Sequence, residues 1–282
     1  IGGVSMSPLA EVLHDAGLDI RGSDMAESSN TLTLRERGIP IHIGHSADNV
    51  TDDISFVIRT AAVHDDNPEV HEAHRRGIPV FERTQAWGAL MRGYQNALCI
   101  SGTHGKTTTT SMCTHIMMAA EKDPTVMIGG TLPLLKACHR VGKGNTIIME
   151  SCEYYNSFLA LNPTIAVVLN IEADHLDFFK DLEDIKHSFR CFAERVPAET
   201  GTVIANYDDA NTMDALRGIE RKVITFGLNA KADVYAQNIV HRGPVSEFDI
   251  YHRGNYFARV TLHVPGIHNV RNALAATAAA IV

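Results

Sequence analysis

The chain has few cysteines for its 282 residues, and none of them stands at the spacing that binds zinc. The five positions are Cys99, Cys113, Cys138, Cys152 and Cys191. Their odd number and wide intervals, without any C-x-x-C pair, argue against a disulfide framework and against a zinc site. We therefore expect the protein to work in a reducing compartment, the cytoplasm.

Long apolar runs and an excess of basic residues are also missing. No apolar stretch approaches the roughly 20 residues of a membrane-spanning helix, and no signal peptide is recognisable. The net charge is −8 and no face dense in lysine and arginine is visible, so we expect neither nucleic acid nor a membrane as a partner. A composition of 45% hydrophobic and 21% charged residues is typical of a soluble globular protein, and the length is enough for two cores.

Short apolar segments alternate with amphipathic helical patterns over residues 1–93. The predicted strands read LDIRGSD, IPIHIG, SFVIRTAA and IPVFE. This β/α alternation predicts a mostly parallel sheet wrapped by helices. Ile1-Gly2-Gly3 is typical of the end of a strand, so we expect the first strand of this domain to be truncated.

A second β/α cycle begins at Ala97 and extends over the rest of residues 94–282. Its near-continuous apolar runs, ALCIS, TIIME and TIAVVLN, suit buried parallel strands. From about Val234 the pattern changes to apolar–polar alternation, as in YFARVTLHV, which predicts an added antiparallel sheet. We place the boundary between two α/β domains near Gly93, where a predicted helix ends and a new strand begins.

The stretch SGTHGKTTTT follows a predicted strand and opens a predicted helix, which is the context of a phosphate-binding loop. Its glycines would let the backbone approach phosphate oxygens, Lys106 would reach the β- and γ-phosphates, and Thr107 would offer its hydroxyl to Mg²⁺. The general G-x-x-x-x-G-K-[ST] pattern has glycine where this chain has Ile100. The alternative is a solvated glycine turn before a helix, but threonine is a poor helix former and four in a row need another reason.

Acidic and polar residues follow two further apolar strands. Glu150 ends the strand TIIME, where its carboxylate could complete a Mg²⁺ shell. Glu153 is better interpreted as a capping acid for the next turn. Asn170, Asp174 and His175 lie in NIEADHLDFF after the strand IAVVL, and we expect them at the same end of the sheet.

The stretch GIHNVRNALAA places His268, Asn269 and Asn272 at the start of the last predicted helix. The two amides, one helical turn apart, offer donors and acceptors that suit a purine edge. Asparagine is also a common helix cap, so this pattern alone leaves both interpretations open.

Near the start of the chain, GGVSMSPLAEVL does not fit the dinucleotide fingerprint G-x-G-x-x-G. If Gly3 is the second glycine, the third falls on Met6. This glycine spacing disfavours a nicotinamide oxidoreductase. The loop could still hold a diphosphate at a helix N-terminus, with Asp24 near a ribose or a base.

Taken in their order along the chain, these stretches resemble the Mur ligase family. The stretches that carry the resemblance are GGVSMSPLAEVL, GSD, TAAVHDDNPE, GIPVF, GTHGKTTTT, VMIGG, ESCEYYNSFL, NIEADHLDFF and GIHNVRNALAA. Each is modest alone, and the ordered set is highly specific. The resemblance implies a Rossmann-like UDP-sugar-binding domain at 1–93 and a P-loop-type α/β ATPase domain with an added antiparallel sheet at 94–282. It also implies a C-terminal amino-acid-binding domain that is absent from this chain.

The resemblance also implies an activity. ATP, with Mg²⁺, would phosphorylate the lactyl carboxylate of UDP-N-acetylmuramate, and the amine of L-alanine would displace phosphate, in peptidoglycan precursor synthesis. Alternatives are the family member that adds a recycled tripeptide to the same UDP-sugar, and a nucleotide-binding fragment without ligation activity. We expect the chain alone to be inactive, and the sequence leaves open whether it is a monomer or a homodimer.

The family motifs carry functional residues over to this sequence. The catalytic set is Lys106, His104, Asn170 and His175. The ATP-binding set is Gly102, Thr103, Gly105, Lys106, Thr107, Thr108, His268, Asn269 and Asn272. The UDP-sugar set is Gly2, Gly3, Ser5, Met6, Asp24, Thr60 and Asn67. The metal set is Thr107, Glu150 and His175.

The chain departs from the family pattern at five positions, which fall in three places. Ser151 and Cys152 separate the two glutamates where the family commonly has alanine and aspartate. Phe189 and Arg190 stand where some members have a carbamylated lysine, so we predict no carbamate, which fits the L-alanine-adding branch. Ser5 stands where glycine is frequent, and this bears on the geometry of the diphosphate loop.

Overall fold

In the computed structural model, which describes residues 1–282, the chain divides into two units, Ile1–Leu90 and Met91–Val282. The division falls at the end of a helix, just before the position near Gly93 that the sequence suggested. No helix is both long and apolar enough to cross a membrane.

The first unit alternates helices and three-residue strands. In chain order these are α1 (Ser7–Asp15), β1 (Gly22–Asp24), α2 (Ser29–Glu36), β2 (Ile41–Ile43), a 3-10 turn (Ala47–Asn49), β3 (Val57–Arg59), α3 (Pro68–Arg75), β4 (Val80–Glu82) and α4 (Arg83–Met91). Local chemistry explains where α3 begins: Asn67 Oδ1 accepts the Glu69 N–H at 3.0 Å, and Pro68 fits the first turn, where no N–H is needed.

The strands of this unit pair two by two and do not form one sheet. β1 pairs with β2 and β3 pairs with β4, both in parallel. The single parallel sheet expected from the sequence is therefore corrected to two parallel pairs. Beside β1, the Ile1 amino group donates to the Ser23 carbonyl at 2.6 Å and the Gly2 N–H donates to the Asp24 carboxylate at 2.8 Å. A cavity of about 390 Å³ is lined by residues of both pairs.

The second unit is larger and contains fifteen elements. In chain order these are β5 (Asn96–Ser101), α5 (Lys106–Ala119), β6 (Thr125–Leu132), β7 (Ala137–Arg140), β8 (Thr146–Glu150), a 3-10 segment (Tyr154–Ala160), β9 (Ile165–Val168), α6 (Leu182–Glu194), β10 (Thr202–Asn206), α7 (Ala210–Ala215), β11 (Lys222–Gly227), β12 (Val234–Arg242), β13 (Val245–His252), β14 (Asn255–Leu262) and α8 (Ile267–Ile281).

These strands form one mixed sheet of ten, in the order β14-β13-β12-β11-β10-β9-β5-β8-β6-β7. The segments β12 to β14 pair antiparallel, which confirms the change of pattern predicted from about Val234. The antiparallel edge strand β7 was not predicted. In the middle, β5 lies between β9 and β8 and is parallel to both. Their carboxyl ends therefore meet at one edge of the sheet, where the stretches SGTHGKTTTT, ESCEYYNSFL and NIEADHLDFF begin.

The core of this unit holds those strands rigidly. Buried side chains of the central strands pack with the alanine-rich helix α8 and with α5. Around α6, Phe158 stacks on Phe192 with ring centroids 4.6 Å apart and meets Phe189 edge-on at 5.3 Å. Packing of this kind limits the motion of the strand ends that carry the polar residues.

Candidate functional site

The loop between β5 and α5 depends on two glycines. Gly102 has φ +141° and Gly105 has φ +87°, backbone conformations that favour glycine. A Cβ on Gly102 would lie 2.8 Å from Leu169 Cβ, and one on Gly105 would lie 2.7 Å from Asn272 Oδ1. The loop therefore packs closely between β9 and α8, and neither glycine is an incidental turn residue.

The helix after this loop begins at Lys106 without a side-chain cap, because its capping residue is Gly105. The first N–H groups of a helix have no partner within the helix and lie at its positive dipole end. Such an end can bind the oxygens of an anion. Within the helix, Thr110 donates its hydroxyl to the Lys106 carbonyl at 2.8 Å, so this threonine is tied to its own backbone.

The ammonium of Lys106 is held inside the loop. Its Nζ donates to the carbonyl oxygens of Gly102 at 2.5 Å and Thr103 at 3.2 Å. It also lies 3.0 Å from Glu153 Oε2 and 3.2 Å from Glu153 Oε1. The side chains of Lys106 and Glu153 are only 15% and 3% exposed, so the pair is largely shielded from water.

Thr107 and Glu150, predicted to share a metal, are in direct contact. The Thr107 hydroxyl donates to Glu150 Oε1 at 2.9 Å, and the Gly129 N–H donates to Glu150 Oε2 at 2.7 Å. A Cβ on Gly129 would lie 2.6 Å from Glu150 Oε1, so this residue leaves room for the carboxylate. A hydroxyl and a carboxylate oxygen are hard ligands, and this pair fits Mg²⁺ that takes its other ligands from phosphate and water.

His175, the third member of the predicted metal set, lies beside the other glutamate. Its Nε2 is 3.9 Å from Glu153 Oε1 and 3.9 Å from Asp174 Oδ2. Across residues 1–282 no three histidine, cysteine, aspartate or glutamate side chains are grouped as a metal site. The Glu153 side chain, interpreted from the sequence as a helix cap, makes no capping bond and instead contacts Lys106. It is the site residue that the sequence analysis undervalued.

Asn170 ties the loop to the end of β9. Its Oδ1 accepts the His104 N–H at 2.8 Å, and its Nδ2 donates to the His104 carbonyl at 3.0 Å. Thr103 adds to this link, because its hydroxyl accepts the Glu172 N–H at 2.9 Å. The imidazole of His104 itself is exposed, with Nε2 3.7 Å from Glu172 Oε2. Asn170 is thus engaged with backbone, while the His104 ring is accessible.

The three residues of α8 that were predicted to bind ATP lie in two different environments. Asn272 lies against Gly105 and donates to Asn269 Oδ1 at 3.2 Å. Asn269 in turn donates to the Pro265 carbonyl at 2.6 Å, just before the helix begins. The exposed His268 packs over Gly266, where a Cβ would lie 2.4 Å from its ring. Only Asn272 of this set therefore has a described contact with the loop.

Cys152 lies between the two glutamates, and its side chain is exposed. Partial desolvation, together with the negative charges of Glu153 and Glu150, raises the pKa of its thiol, so the thiolate is disfavoured.

The residues predicted for the UDP-sugar lie in the first unit and fall into two groups. Met6, Thr60 and Asn67 line the cavity between the strand pairs. Gly2 and Asp24 contact each other, and a Cβ on Gly2 would lie 3.0 Å from Asp24 Oδ2.

The other two members of this set precede α1. The Gly3 carbonyl accepts the Met6 N–H at 2.9 Å in the turn before this helix. The Ser5 hydroxyl accepts a hydrogen bond from Arg83, whose pKa is lowered by burial of the guanidinium. Ser5 is therefore occupied by a neighbouring side chain.

A polar cluster on the same cavity was not singled out in the sequence. Glu69 accepts hydrogen bonds from the Ser23 hydroxyl at 2.5 Å and from Asn49 Nδ2 at 2.6 Å. His45 Nδ1 lies 3.3 Å from Glu69 Oε2 and 3.1 Å from Ser23 Oγ. The sequence signal for Ser23 was a polar residue within a short strand, in GSD, and that for Glu69 was a polar residue at a helix start, in NPE.

Comparison with known families agrees with this arrangement. Residues 100–280 match the family model for the Mur ligase middle domain, and residues 1–95 match that for the Mur ligase family, catalytic domain. The chain belongs to the Mur ligase family. The family prediction made from the order of the motifs is thereby confirmed.

Curated relatives of this Mur ligase carry the name UDP-N-acetylmuramate–L-alanine ligase. The protein from Agathobacter rectalis is 46% identical over 279 residues, which are 99% of this chain and 61% of the relative. The protein from Caldicellulosiruptor bescii is 43% identical over 281 residues, again 99% of this chain and 61% of the relative. The chain thus spans 61% of the length of these relatives.

Solved structures confirm the α/β fold class. The UDP-N-acetylmuramate-alanine ligase of Thermotoga maritima is 31% identical with a TM-score of 0.78, covering 99% of this chain and 62% of that one. The UDP-N-acetylmuramate:L-alanyl-gamma-D-glutamyl-meso-diaminopimelate ligase from Neisseria meningitides is 26% identical with a TM-score of 0.84, covering 100% of this chain and 91% of that one.

Proposed function

We propose that this chain provides the UDP-sugar-binding and ATP-binding parts of an ATP-dependent ligase that forms an amide bond in peptidoglycan precursor synthesis, in the cytoplasm. The substrates would be UDP-N-acetylmuramate, ATP and L-alanine. The observation that carries the proposal is the group of Lys106, Thr107 and Glu150 at the carboxyl ends of adjacent parallel strands, beside the open N-terminus of α5. Membership of the Mur ligase family supports the same conclusion.

Each side chain has a physical role in this proposal. The N–H groups at the start of α5 bind phosphate oxygens, and the Lys106 ammonium offsets negative charge on the phosphoryl group during its transfer. Transfer to the lactyl carboxylate gives an acyl phosphate, which the amine then attacks with loss of phosphate. Asn170 keeps the loop in position for this transfer, because its amide bonds both backbone groups of His104.

Mg²⁺ would be held by the oxygens of Thr107 and Glu150, which are already in contact. When bound, it would neutralise charge on the phosphate oxygens. We propose His175 as a residue near the reacting groups on the Glu153 side of Lys106, since its Nε2 lies 3.9 Å from Glu153 Oε1.

The preference for L-alanine rests on the curated relatives, which are 43% to 46% identical and carry that name. The alternative is the tripeptide-adding activity, because the Neisseria structure named for such a ligase also matches this chain. Phosphate release by a chain that includes an amino-acid-binding domain distinguishes the two, with L-alanine, L-serine, glycine and tripeptide as amines. Product from the tripeptide alone would support the recycling activity.

The phosphate-loop assignment is testable on the 282-residue chain by calorimetric titration with Mg·ATP. Lys106→Ala is expected to weaken ATP binding at least about tenfold, because a charged hydrogen bond to phosphate is lost. Lys222→Ala, at an exposed lysine that begins β11, is the matched control and should bind like the parent. Equal affinity of the two variants would contradict the assignment. A chain that binds ATP but not UDP-N-acetylmuramate would instead favour the nucleotide-binding fragment.

A further inference from the structure

Arg83 is a basic residue of the first unit that lies outside the predicted sets of site residues. It is the first residue of α4 and follows directly after β4, so it stands at the carboxyl end of that strand. Ligands of open α/β folds bind outside the carboxyl ends of the strands. The position of Arg83 in the fold is therefore one where a side chain can reach a ligand of this unit.

The guanidinium of Arg83 has a neutral partner. Its Nη1 donates to the Ser5 hydroxyl, and no carboxylate forms an ion pair with it. The neighbouring acid, Glu82, is paired with another arginine, because its Oε1 lies 3.3 Å from Arg59 Nε. Burial lowers the pKa of Arg83, and the charge of Glu82 offsets this effect only in part. Charged side chains removed from water are normally paired, so the site beside Arg83 lacks a negative charge.

The hydroxyl that Arg83 contacts belongs to the loop that leads into α1. In this loop the Gly3 carbonyl accepts the N–H groups of Met6 and Ser7, both at 2.9 Å. The helix that follows is nine residues long, and its capping residue Met6 makes no side-chain capping bond. The N-terminal end of a helix carries a partial positive charge. Two positive features, the Arg83 guanidinium and the start of α1, therefore border the same loop.

The loop is fixed on one side and open on the other. On the fixed side, the Gly2 N–H donates to Asp24 Oδ2 at 2.8 Å, and Asn30 Nδ2 donates to the Gly2 carbonyl at 2.8 Å. On the open side, a Cβ on Gly3 would meet nothing nearer than Met6 Cβ at 4.0 Å. A ligand can therefore approach the backbone of this loop beside Arg83.

We propose that Arg83 binds the diphosphate of a nucleoside-diphosphate ligand at this loop, and that its guanidinium leaves the Ser5 hydroxyl when the ligand binds. The identity of the ligand as a UDP-sugar rests on the proposed function. A planar guanidinium presents two parallel N–H groups that match two phosphate oxygens, and such charged pairs are among the strongest hydrogen bonds in proteins. The diphosphate supplies the negative charge that no side chain provides beside Arg83.

The alternative role for Arg83 is to brace the loop through Ser5. The two roles predict opposite effects when the Ser5 hydroxyl is removed. For a brace, Ser5→Ala breaks the only contact and weakens ligand binding as much as loss of Arg83 does. For a diphosphate ligand, Ser5→Ala frees the guanidinium from a competing hydrogen bond and should strengthen binding about threefold.

The test is calorimetric titration of the 282-residue chain with UDP, with binding of uridine, which has no phosphate, followed by saturation-transfer NMR. We expect Arg83→Gln to weaken UDP binding at least about tenfold and to leave uridine binding unchanged, because only charged hydrogen bonds to phosphate are lost. Arg83→Lys keeps the charge without the planar fork and should recover part of the UDP affinity. Arg75→Gln is the control matched for net charge and should bind UDP like the parent, because that arginine of α3 is 62% exposed and already paired with Glu72.

Three results would overturn the role of Arg83. These are equal UDP affinity of Arg83→Gln and Arg75→Gln, a parallel loss of UDP and uridine binding in Arg83→Gln, and UDP binding in Ser5→Ala as weak as in Arg83→Gln. Thermal unfolding of the same variants checks that the fold is retained.

The outcomes also separate this role from the proposed function. If UDP binds through Arg83 while Mg·ATP does not bind, the ligase proposal fails and the role of Arg83 is supported. If Mg·ATP and UDP both bind and the Arg83 variants bind UDP like the control, only the role of Arg83 fails. Absence of UDP binding to the parent chain would overturn both.

Discussion

Replacing Glu153 by glutamine tests the electrostatic core of the site. Glutamine keeps the size of the side chain and an oxygen that can accept a hydrogen bond, so the substitution removes little except the negative charge. Lys106 would retain the carbonyl oxygens of Gly102 and Thr103 as acceptors. The substitution therefore removes only the charge–charge attraction between Lys106 Nζ and Glu153 Oε2, which lie 3.0 Å apart.

The magnitude follows from distance and burial. Two unit charges at this separation attract by about 5 kcal/mol at an effective dielectric constant of about 20, before desolvation is subtracted. Breaking a buried pair by removing one partner costs about 3–5 kcal/mol, and the two remaining carbonyl acceptors reduce that cost. We expect Glu153→Gln to lower the free energy of unfolding of the second unit by about 2–3 kcal/mol. For a unit of this size, about 1 kcal/mol corresponds to about 2–4 °C in Tm.

Glu150→Gln is the matched control, three residues earlier in the same motif. Its partners are neutral, the Thr107 hydroxyl and the Gly129 N–H, and an amide can satisfy both because a hydroxyl also accepts. We expect a cost of at most about 1 kcal/mol, together with loss of Mg²⁺-dependent nucleotide binding. Thermal unfolding followed by circular dichroism measures both variants. Equal Tm values for the two glutamine variants would refute the account of Glu153 as the buried partner of the lysine.

Three further predictions concern packing and titration. Gly105→Ala and Gly218→Ala both place alanine at positive φ, but only the new Cβ at position 105 meets a neighbour, the α8 asparagine amide at 2.7 Å. We therefore expect Gly105→Ala to lower the free energy of unfolding by about 1 kcal/mol more than Gly218→Ala does, as measured by denaturant titration. Thr109 has a buried hydroxyl without a partner, so Thr109→Val should raise stability by about 1 kcal/mol, whereas Thr110→Val, which loses a backbone bond of 2.8 Å, should lower it in calorimetry. The pKa of Glu72 is lowered from 4.5 to about 2 by hydrogen bonds from the two arginines that follow it on α3. Because a depressed carboxyl pKa contributes stability above pH 4.5 that is lost as the pH falls towards 2, Glu72→Gln should flatten the Tm profile over that range.

Much of the site could be predicted from the sequence because its signals are local. The loop from Gly102 to Thr107 is a short segment between a strand and a helix, and its glycines and lysine are recognisable without any partner. The ends of parallel strands lie at one edge of a sheet, so the proximity of Glu150 to this loop also followed from the pattern. The contact between Thr107 and Glu150 is what that reasoning leads one to expect.

The role of Glu153 could not be predicted in the same way. Its spacing from Glu150 is compatible with a cap, whereas its contact with Lys106 joins residues 47 positions apart in the chain. The segment that follows Glu153 has Tyr155 at φ +52°. Left-handed conformations at tyrosine are imposed by surrounding contacts and leave no reliable mark in the residue pattern.

The sequence by itself determined the α/β class, the family and the position of the phosphate loop, because periodicity and motif order are properties of neighbouring residues. Tertiary structure alone decided which carboxylate pairs with Lys106, that the Tyr154 ring stacks on His175, and that the strands of the first unit pair two by two. These features depend on contacts between segments distant in the chain. Their energies arise only when the segments pack together and water is excluded between them.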